Sequence, residues 1–176
     1  MRWNYHKPAS PGSLLTERVI MKPASSHGAM RIQAILGDEF RVVEFEDSTH
    51  SSAEAAAAVG CDVAQIAKSM VFRAADGRPV LVVASGVNRV DDKKVATLLG
   101  QKIKRADADY VLAHTGSPPG GVSPVGHLTA PAIFLDQDLR RHDTIWAAAG
   151  SPNAVFALSP ADLVRLTGAD FSNVAK

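Results

Sequence analysis

Ala67-Lys68-Ser69-Met70-Val71-Phe72-Arg73-Ala74 runs through Ala75-Asp76-Gly77-Arg78-Pro79 into Val80-Leu81-Val82-Val83-Ala84. The middle piece is turn chemistry: glycine admits positive φ, and aspartate and proline favour a chain reversal. The second flank is almost continuously apolar, as in a strand covered on both faces. The stretch therefore predicts a β-hairpin with strands over 67–74 and 80–84. Alternation puts Ile66, Lys68, Met70 and Phe72 on one face and Ala67, Ser69, Val71 and Arg73 on the other. Lys68 shares its face with the bulkiest apolar side chains. An ammonium there must lower its pKa, meet an anion or snorkel to water. Two readings stay open: a strand-start lysine reaching solvent, or a pocket lysine offering charge to a carboxyl, phosphate or ester oxygen.

Outward from the hairpin, residues 40–46 alternate, with Val42 opposite Val43 and Phe45, and read as a half-buried strand. Residues 30–36 read as a short helical turn stopped by Gly37, and Ser51/Ser52 cap an alanine-rich helix over 53–59 that Gly60 ends. Downstream, Asp91/Asp92 start a helix closed by Gly100, 102–105 is a short basic strand, and Asp107 caps a helix over 108–114. Residues 132–136 form an apolar strand, and 144–149 and 154–158 form a second hairpin around Gly150-Ser151-Pro152-Asn153. Ser159 caps the last helix, over 161–167, and Gly168 terminates it. Strict strand–helix alternation is absent, which argues against a doubly wound parallel sheet. The expected fold is α/β of the α+β type: a mixed, curved, barrel-like sheet of six to seven strands surrounded by helices.

Between the fourth helix and the strand at 132 lies Gly120-Gly121-Val122-Ser123-Pro124-Val125-Gly126, three glycines and a proline in seven residues. Such a loop can turn several backbone N–H groups toward one point. A plain surface turn is the competing reading.

A chain of 176 residues is expected to form one domain with a sizeable core, and 46% hydrophobic with 21% charged residues is ordinary for a globular protein. A net charge of +1 argues against general phosphate coating. The single cysteine, Cys61, excludes an internal disulfide framework and a cysteine zinc cluster, in keeping with a reducing cytoplasm. No apolar run reaches the length of a membrane span. Residues 1–29, rich in proline, serine and basic residues, read as an N-terminal extension, from an upstream start or non-native, with the domain over 30–176.

Taken in order, Gln65-Ile66-Ala67-Lys68-Ser69, Asn88-Arg89-Val90-Asp91-Asp92-Lys93-Lys94, Ala106-Asp107, the glycine loop and Ser159-Pro160-Ala161-Asp162-Leu163 resemble the YbaK family. These are aminoacyl-tRNA editing domains related to the insertion domain of bacterial prolyl-tRNA synthetase, and the likeness runs from about Phe40 onward. It implies a mixed barrel-like sheet and hydrolysis of the ester joining a wrong amino acid to tRNA. It implies that Lys68, Gly120 and Gly121 are catalytic and that Phe45, Ser69, Val122, Ser123 and Pro124 bind substrate. In the family, a Gly-x-x-x-Pro loop, here Gly120 to Pro124, binds the scissile end and the water. Substrate groups, a ribose hydroxyl or a cysteine thiol, contribute part of the chemistry. A mischarged tRNA is the implied partner, with prolyl-tRNA synthetase as a further one, and no cofactor, metal or membrane is implied.

Departures leave the amino acid open among cysteine, alanine, serine and threonine. Phe45 stands where some members have tyrosine, Ser69 replaces the asparagine of alanine-clearing members, and the 149–153 turn matches neither type. The loop itself looks most like the cysteinyl-tRNA(Pro) deacylase version. Its serine is one residue out of frame for a Gly-x-Ser-x-Gly nucleophile elbow. His114, His127 and His142 lack the i, i+4 spacing of a zinc site. Cys61 reads as an inert small residue, His127 as a surface histidine, and Lys93, Lys94, Lys102, Lys104 and Arg105 as a solvated face that can touch a tRNA backbone. A module that binds a small ligand or the tRNA end without catalysis is the alternative.

Overall fold

A computed structural model describes residues 20–176. Along it come β1 (Met21–Pro23), α1 (His27–Leu36), β2 (Val42–Phe45), α2 (Ser52–Val59), β3 (Ile66–Ala74), β4 (Pro79–Ser85), α3 (Asp92–Leu99), β5 (Ile103–Arg105), α4 (Ala108–Thr115), β6 (Ala132–Asp136), β7 (Ile145–Ala148), β8 (Ala154–Leu158), α5 (Pro160–Thr167) and β9 (Phe171–Ser172). Single 3₁₀ turns occupy Val63–Gln65 and Gln137–Arg141.

The five helices are bounded by local chemistry. Ser26, Ser51, Asp91, Asp107 and Ser159 each accept a first-turn N–H through the side chain. Each helix ends on a glycine of positive φ. The start of α1 differs from expectation: it begins at His27, not at residue 30, because Ser26 caps it. Of the expected N-terminal extension, residues 21–29 carry β1 and the first turn of α1, while residues 1–19 lie outside the described residues.

Both expected hairpins form, β3–β4 and β7–β8. The sheet has nine strands among the described residues, in the order β1-β2-β8-β7-β3-β4-β6-β9, with β5 also on β3. The two beyond the expected six to seven are β1 and β9. The sheet is mixed, with β3–β7, β4–β6 and β6–β9 parallel. It is open, not a closed barrel: its outer strands, β1 and β9, do not pair with each other. All of β4 is buried, because apolar clusters cover both faces. One face packs Leu81, Val83 and Leu135 against Ile32 of α1, Val111 of α4 and Leu163 of α5. The other packs Phe72, Val80 and Val82 against Val95 of α3 and Val174. A third cluster joins Phe45, Ile66, Trp146 and Val155 to Ala55 and Ala56 of α2. Each large side chain so buried stabilises the fold by roughly 1.5–3 kcal/mol relative to exposure.

The site is positioned by a fork. The edge of β3 away from β4 pairs with β7 through Ile66 and Ala67, then with β5 through Phe72 to Ala74. Between the two partners, Lys68, Ser69, Met70 and Val71 pair with β4 alone among the strands. β7 meanwhile runs on past Ala148 into the turn that touches the glycine loop.

Candidate functional site

The glycine loop is fixed by backbone packing. Gly120 has φ 85, open space where a Cβ would stand, and follows Pro118 and Pro119 in a tight turn closed by Gly121 N–H donating to Pro118 O at 3.0 Å. Gly121 lies against the next turn, where a Cβ would come within 2.8–3.0 Å of the Ser151 backbone. Gly150 N–H donates to Gly121 O at 2.9 Å. Gly150 in turn has φ 90 and rests on Gly28 of α1, where any Cβ would meet Gly28 C at 2.6 Å. Arg31 of α1 ties the far end of the loop, donating to Gly126 O at 2.7 Å and Thr115 O at 3.1 Å.

This arrangement settles which backbone donors the fold uses. The Gly121 N–H closes its own turn and the Val125 N–H donates to Ser123 Oγ at 3.3 Å. Among the described residues the N–H groups of Gly120, Val122 and Ser123 have no hydrogen-bond acceptor. Val122 and Ser123 are buried. His127 is half-buried and hydrogen bonds through Nε2 to Ser123 O at 2.7 Å. Burial lowers its pKa, the Ser123 carbonyl opposes this, and Arg31 lowers it further. It is a strut of the loop, not the surface histidine expected.

Lys68 lies at the fork, half-buried, with Nζ donating to Asn88 O at 2.5 Å. Burial pushes its pKa below the usual lysine value, Arg105 adds to that, Asp136 opposes it, and Arg89 lowers it again. Asn88 follows β4 in a turn closed by its N–H on Ser85 O at 2.9 Å. Neighbouring Ser69 carries the one buried side-chain polar atom without a partner among the described residues, its Oγ.

The predicted residues thus fall into two groups. Gly120, Gly121, Val122 and Ser123 share the loop, which meets the 149–153 turn through Gly121, and Phe45 meets the same turn, donating N–H to Asn153 O at 2.8 Å and accepting from Asn153 Nδ2 at 2.9 Å. Lys68 and Ser69 form the second group. The link is strand register: Ala67 pairs with Ala147, three residues before Gly150. No hydrogen bond joins Lys68 to the loop among the described residues. Pro124 lines a groove of about 440 Å³ with Ile35, Leu36, His127, Ile133 and Leu166. Sequence reasoning missed Arg31, because a basic residue on a helix gives no local sign of carbonyl partners 84 and 95 positions away. It also missed Asp136, although an acid ending an apolar strand was a visible signal.

Residues 46–166 match the family model described as the aminoacyl-tRNA editing domain. The chain is 37% identical over 122 residues to the "Uncharacterized protein YwhH" of Bacillus subtilis, covering 69% of this chain and 78% of that protein. It is 28% identical over 127 residues to the "Putative Cys-tRNA(Pro)/Cys-tRNA(Cys) deacylase EbsC" of Enterococcus faecalis, covering 71% and 77%. Against the "Proline--tRNA ligase" of Limosilactobacillus fermentum it is 34% identical over 96 residues, 52% of this chain but 17% of the ligase. A crystal structure described as "a putative trans-editing enzyme for prolyl tRNA synthetase" superposes with a TM-score of 0.83 at 40% identity, over 87% of this chain and 99% of that one.

Proposed function

The chain belongs to the aminoacyl-tRNA editing domain family, and on that premise we propose that it is a free-standing deacylase that hydrolyses the ester of a mischarged tRNA. The observation that carries this reading is the set of backbone N–H groups at Gly120, Val122 and Ser123. They have no acceptor among the described residues, in a loop pinned at both ends by α1 and the 149–153 turn. Preorganised donors of this kind stabilise the oxyanion that develops when water attacks an ester, and they lose nothing to reorganisation. Val122 and Ser123 are therefore better placed as donors than Gly121, whose N–H closes its own turn.

An aminoacyl ester is activated, so placement of water and charge supplies much of what the reaction needs. Lys68, held at Asn88 O, offers an ammonium to the phosphate or ribose of the 3′-terminal nucleotide. The exposed cations Arg89 and Arg105, which act on Lys68 electrostatically, extend that positive field toward the incoming strand. Water attacks the ester carbon, the N–H groups receive the oxyanion, and the ribose oxygen leaves. A substrate hydroxyl or thiol moves the proton, since among the described residues no side-chain acid–base pair hydrogen bonds to the loop. Phe45, Ser69, Val122, Ser123 and Pro124 are assigned to substrate binding. Action in trans is supported by the near-complete overlap with the trans-editing structure, against 17% of the ligase.

The test is a panel of Cys-, Ala-, Ser- and Thr-tRNA(Pro) incubated with the protein and with Lys68→Ala. The expected outcome is a shortened ester half-life for at least one member, reduced on the order of 10²-fold or more in the variant. Unaltered deacylation by a folded Lys68→Ala protein sinks the assignment of Lys68. Esters that persist or are protected across the panel point to a non-catalytic module that binds the tRNA end.

A further inference from the structure

We infer that Asn88 and Asp136 are positioning residues that hold the Lys68 ammonium in place, a role that rests on the deacylase reading only for its catalytic consequence. The chain of contacts is continuous. Lys68 Nζ donates to the backbone carbonyl of Asn88 at 2.5 Å. The side chain of the same asparagine donates through Nδ2 to Asp136 Oδ2 and to Asp138 Oδ2, both at 2.8 Å. Two carboxylates can be met only by the NH₂ end of a carboxamide, so the orientation of Asn88 follows from chemistry. Both N–H directions are thereby fixed, and with the Ser85 turn they fix where the Asn88 carbonyl points.

Asp136 is built for this task. It is 1% exposed at the end of β6, and no lysine, arginine or histidine pairs with it among the described residues. Instead it accepts from Ser85 N at 3.0 Å, from Asp138 N at 3.0 Å and from Asn88. A buried carboxylate is costly unless hydrogen bonded, and these donors satisfy its oxygens without a salt bridge. Its charge acts on Lys68, opposing the effect of burial. Asp138, by contrast, is engaged by Arg141 at 3.1 Å at the surface. The charged groups acting on Lys68 come from three neighbours: Arg105 on β5, Arg89 beside Asn88, and Asp136 on β6. Two of them repel the ammonium and Asp136 alone attracts it. The hairpin, the turn after β4 and the end of β6 thus converge to set both the position and the protonation of one amine.

The experiment reads Lys68 directly. The pH dependence of its acylation by an amine-reactive reagent is followed by mass spectrometry of the Lys68 peptide in wild type, Asp136→Asn and Asn88→Ala. Asp136→Asn keeps the shape and removes the charge, and the Lys68 titration midpoint is expected to shift down. Asn88→Ala lies in a half-buried turn and keeps the backbone carbonyl, so it serves if the buried variant does not fold. In it, Lys68 is expected to label faster at a given pH than in wild type. Deacylation by either variant is expected to fall on the order of 10²-fold in kcat, as for a misplaced catalytic group, with a smaller change in KM. Folded variants with wild-type Lys68 labelling overturn the inference, even if they lose activity, since that pattern is a purely structural role. A shifted midpoint in a protein that deacylates no member of the tRNA panel leaves the positioning intact and removes the deacylase reading.

Discussion

The two halves of the candidate site are held by opposite means. On the loop side, backbone lies on backbone: Gly28 against Gly150, Gly121 against Ser151, with positive φ at Gly120, Gly126 and Gly150. On the lysine side, a charge is placed by a carbonyl, a carboxamide and a buried carboxylate. Steric fixation gives donors that hardly move, as an oxyanion site requires. Electrostatic fixation leaves an amine whose charge its neighbours tune. The loop side should therefore fail when one atom is added and be indifferent to charge nearby, while the lysine side should behave the other way.

The largest expected effect adds that one atom. In Gly150→Ala a Cβ must enter a backbone contact at φ 90, 2.6 Å from Gly28 C and 2.9 Å from Ile32 Cγ1. Strain and overpacking together predict a loss of about 3 kcal/mol or more, which is roughly 6–12 °C in Tm for a chain of this size. Deacylation should fall in parallel, because the Gly121 contact shifts with it. Thermal unfolding checks this, and a Tm within about 2 °C of wild type would show that α1 and the turn can part freely.

A middle effect comes from a buried acid at the start of α1. Glu44 on β2 is 1% exposed and accepts from the N–H and hydroxyl groups of both Ser25 and Ser26, at the start of α1. Burial pulls its pKa up, but the hydrogen bonds from Ser25 and Ser26 outweigh that and hold it below the ordinary 4.5. A depressed carboxylate stabilises the fold above its unfolded pKa, and that contribution disappears as pH falls below about 4.5. Glu44→Gln should be less stable at neutral pH and show a flatter loss of stability as pH falls through 4.5 and below. Urea unfolding at a series of pH values gives the comparison. Equal pH dependence in variant and wild type would remove Glu44 as the acid-sensitive anchor of α1.

These two regions also differ in how far the sequence discloses them. The lysine is legible because alternation places it with Met70 and Phe72, a local pattern that the β3–β4 pairing preserves. Helix ends are legible because caps such as Asp91 and Gly100 act within one turn. The supports of the site are not. Met21-Lys22-Pro23 looks like loop, and becomes β1 only because β2 lies beside it. β9 has two residues, too few for any periodicity, and is defined by Leu135 and Asp136 of β6. Gly28 looks like a poor helix residue until Gly150 is placed on it. Arg31, Asn88 and Asp136 act on partners far along the chain, and no spacing in one sequence records such pairings. The extra edge strands follow from the same cause, and they extend the expected mixed sheet without closing it.

The smallest expected effect sharpens the division of labour inside the loop itself. Ser123 is 2% exposed, and its Oγ accepts from Val125 N at 3.3 Å while its carbonyl is held by His127. The hydroxyl thus closes a turn and faces no base, since the His127 contact goes to the carbonyl. If Ser123 contributes through its backbone N–H, Ser123→Ala removes nothing that meets the oxyanion. The Val125 N–H loses one long hydrogen bond, worth about 1 kcal/mol of stability. The rate of deacylation should stay within about threefold, corresponding to less than about 0.7 kcal/mol in the barrier. A serine nucleophile predicts the opposite, a loss of several orders of magnitude and an acyl-enzyme trapped by rapid quench. Single-turnover deacylation with the alanine variant therefore separates a loop that acts through its backbone from one that acts through a side chain.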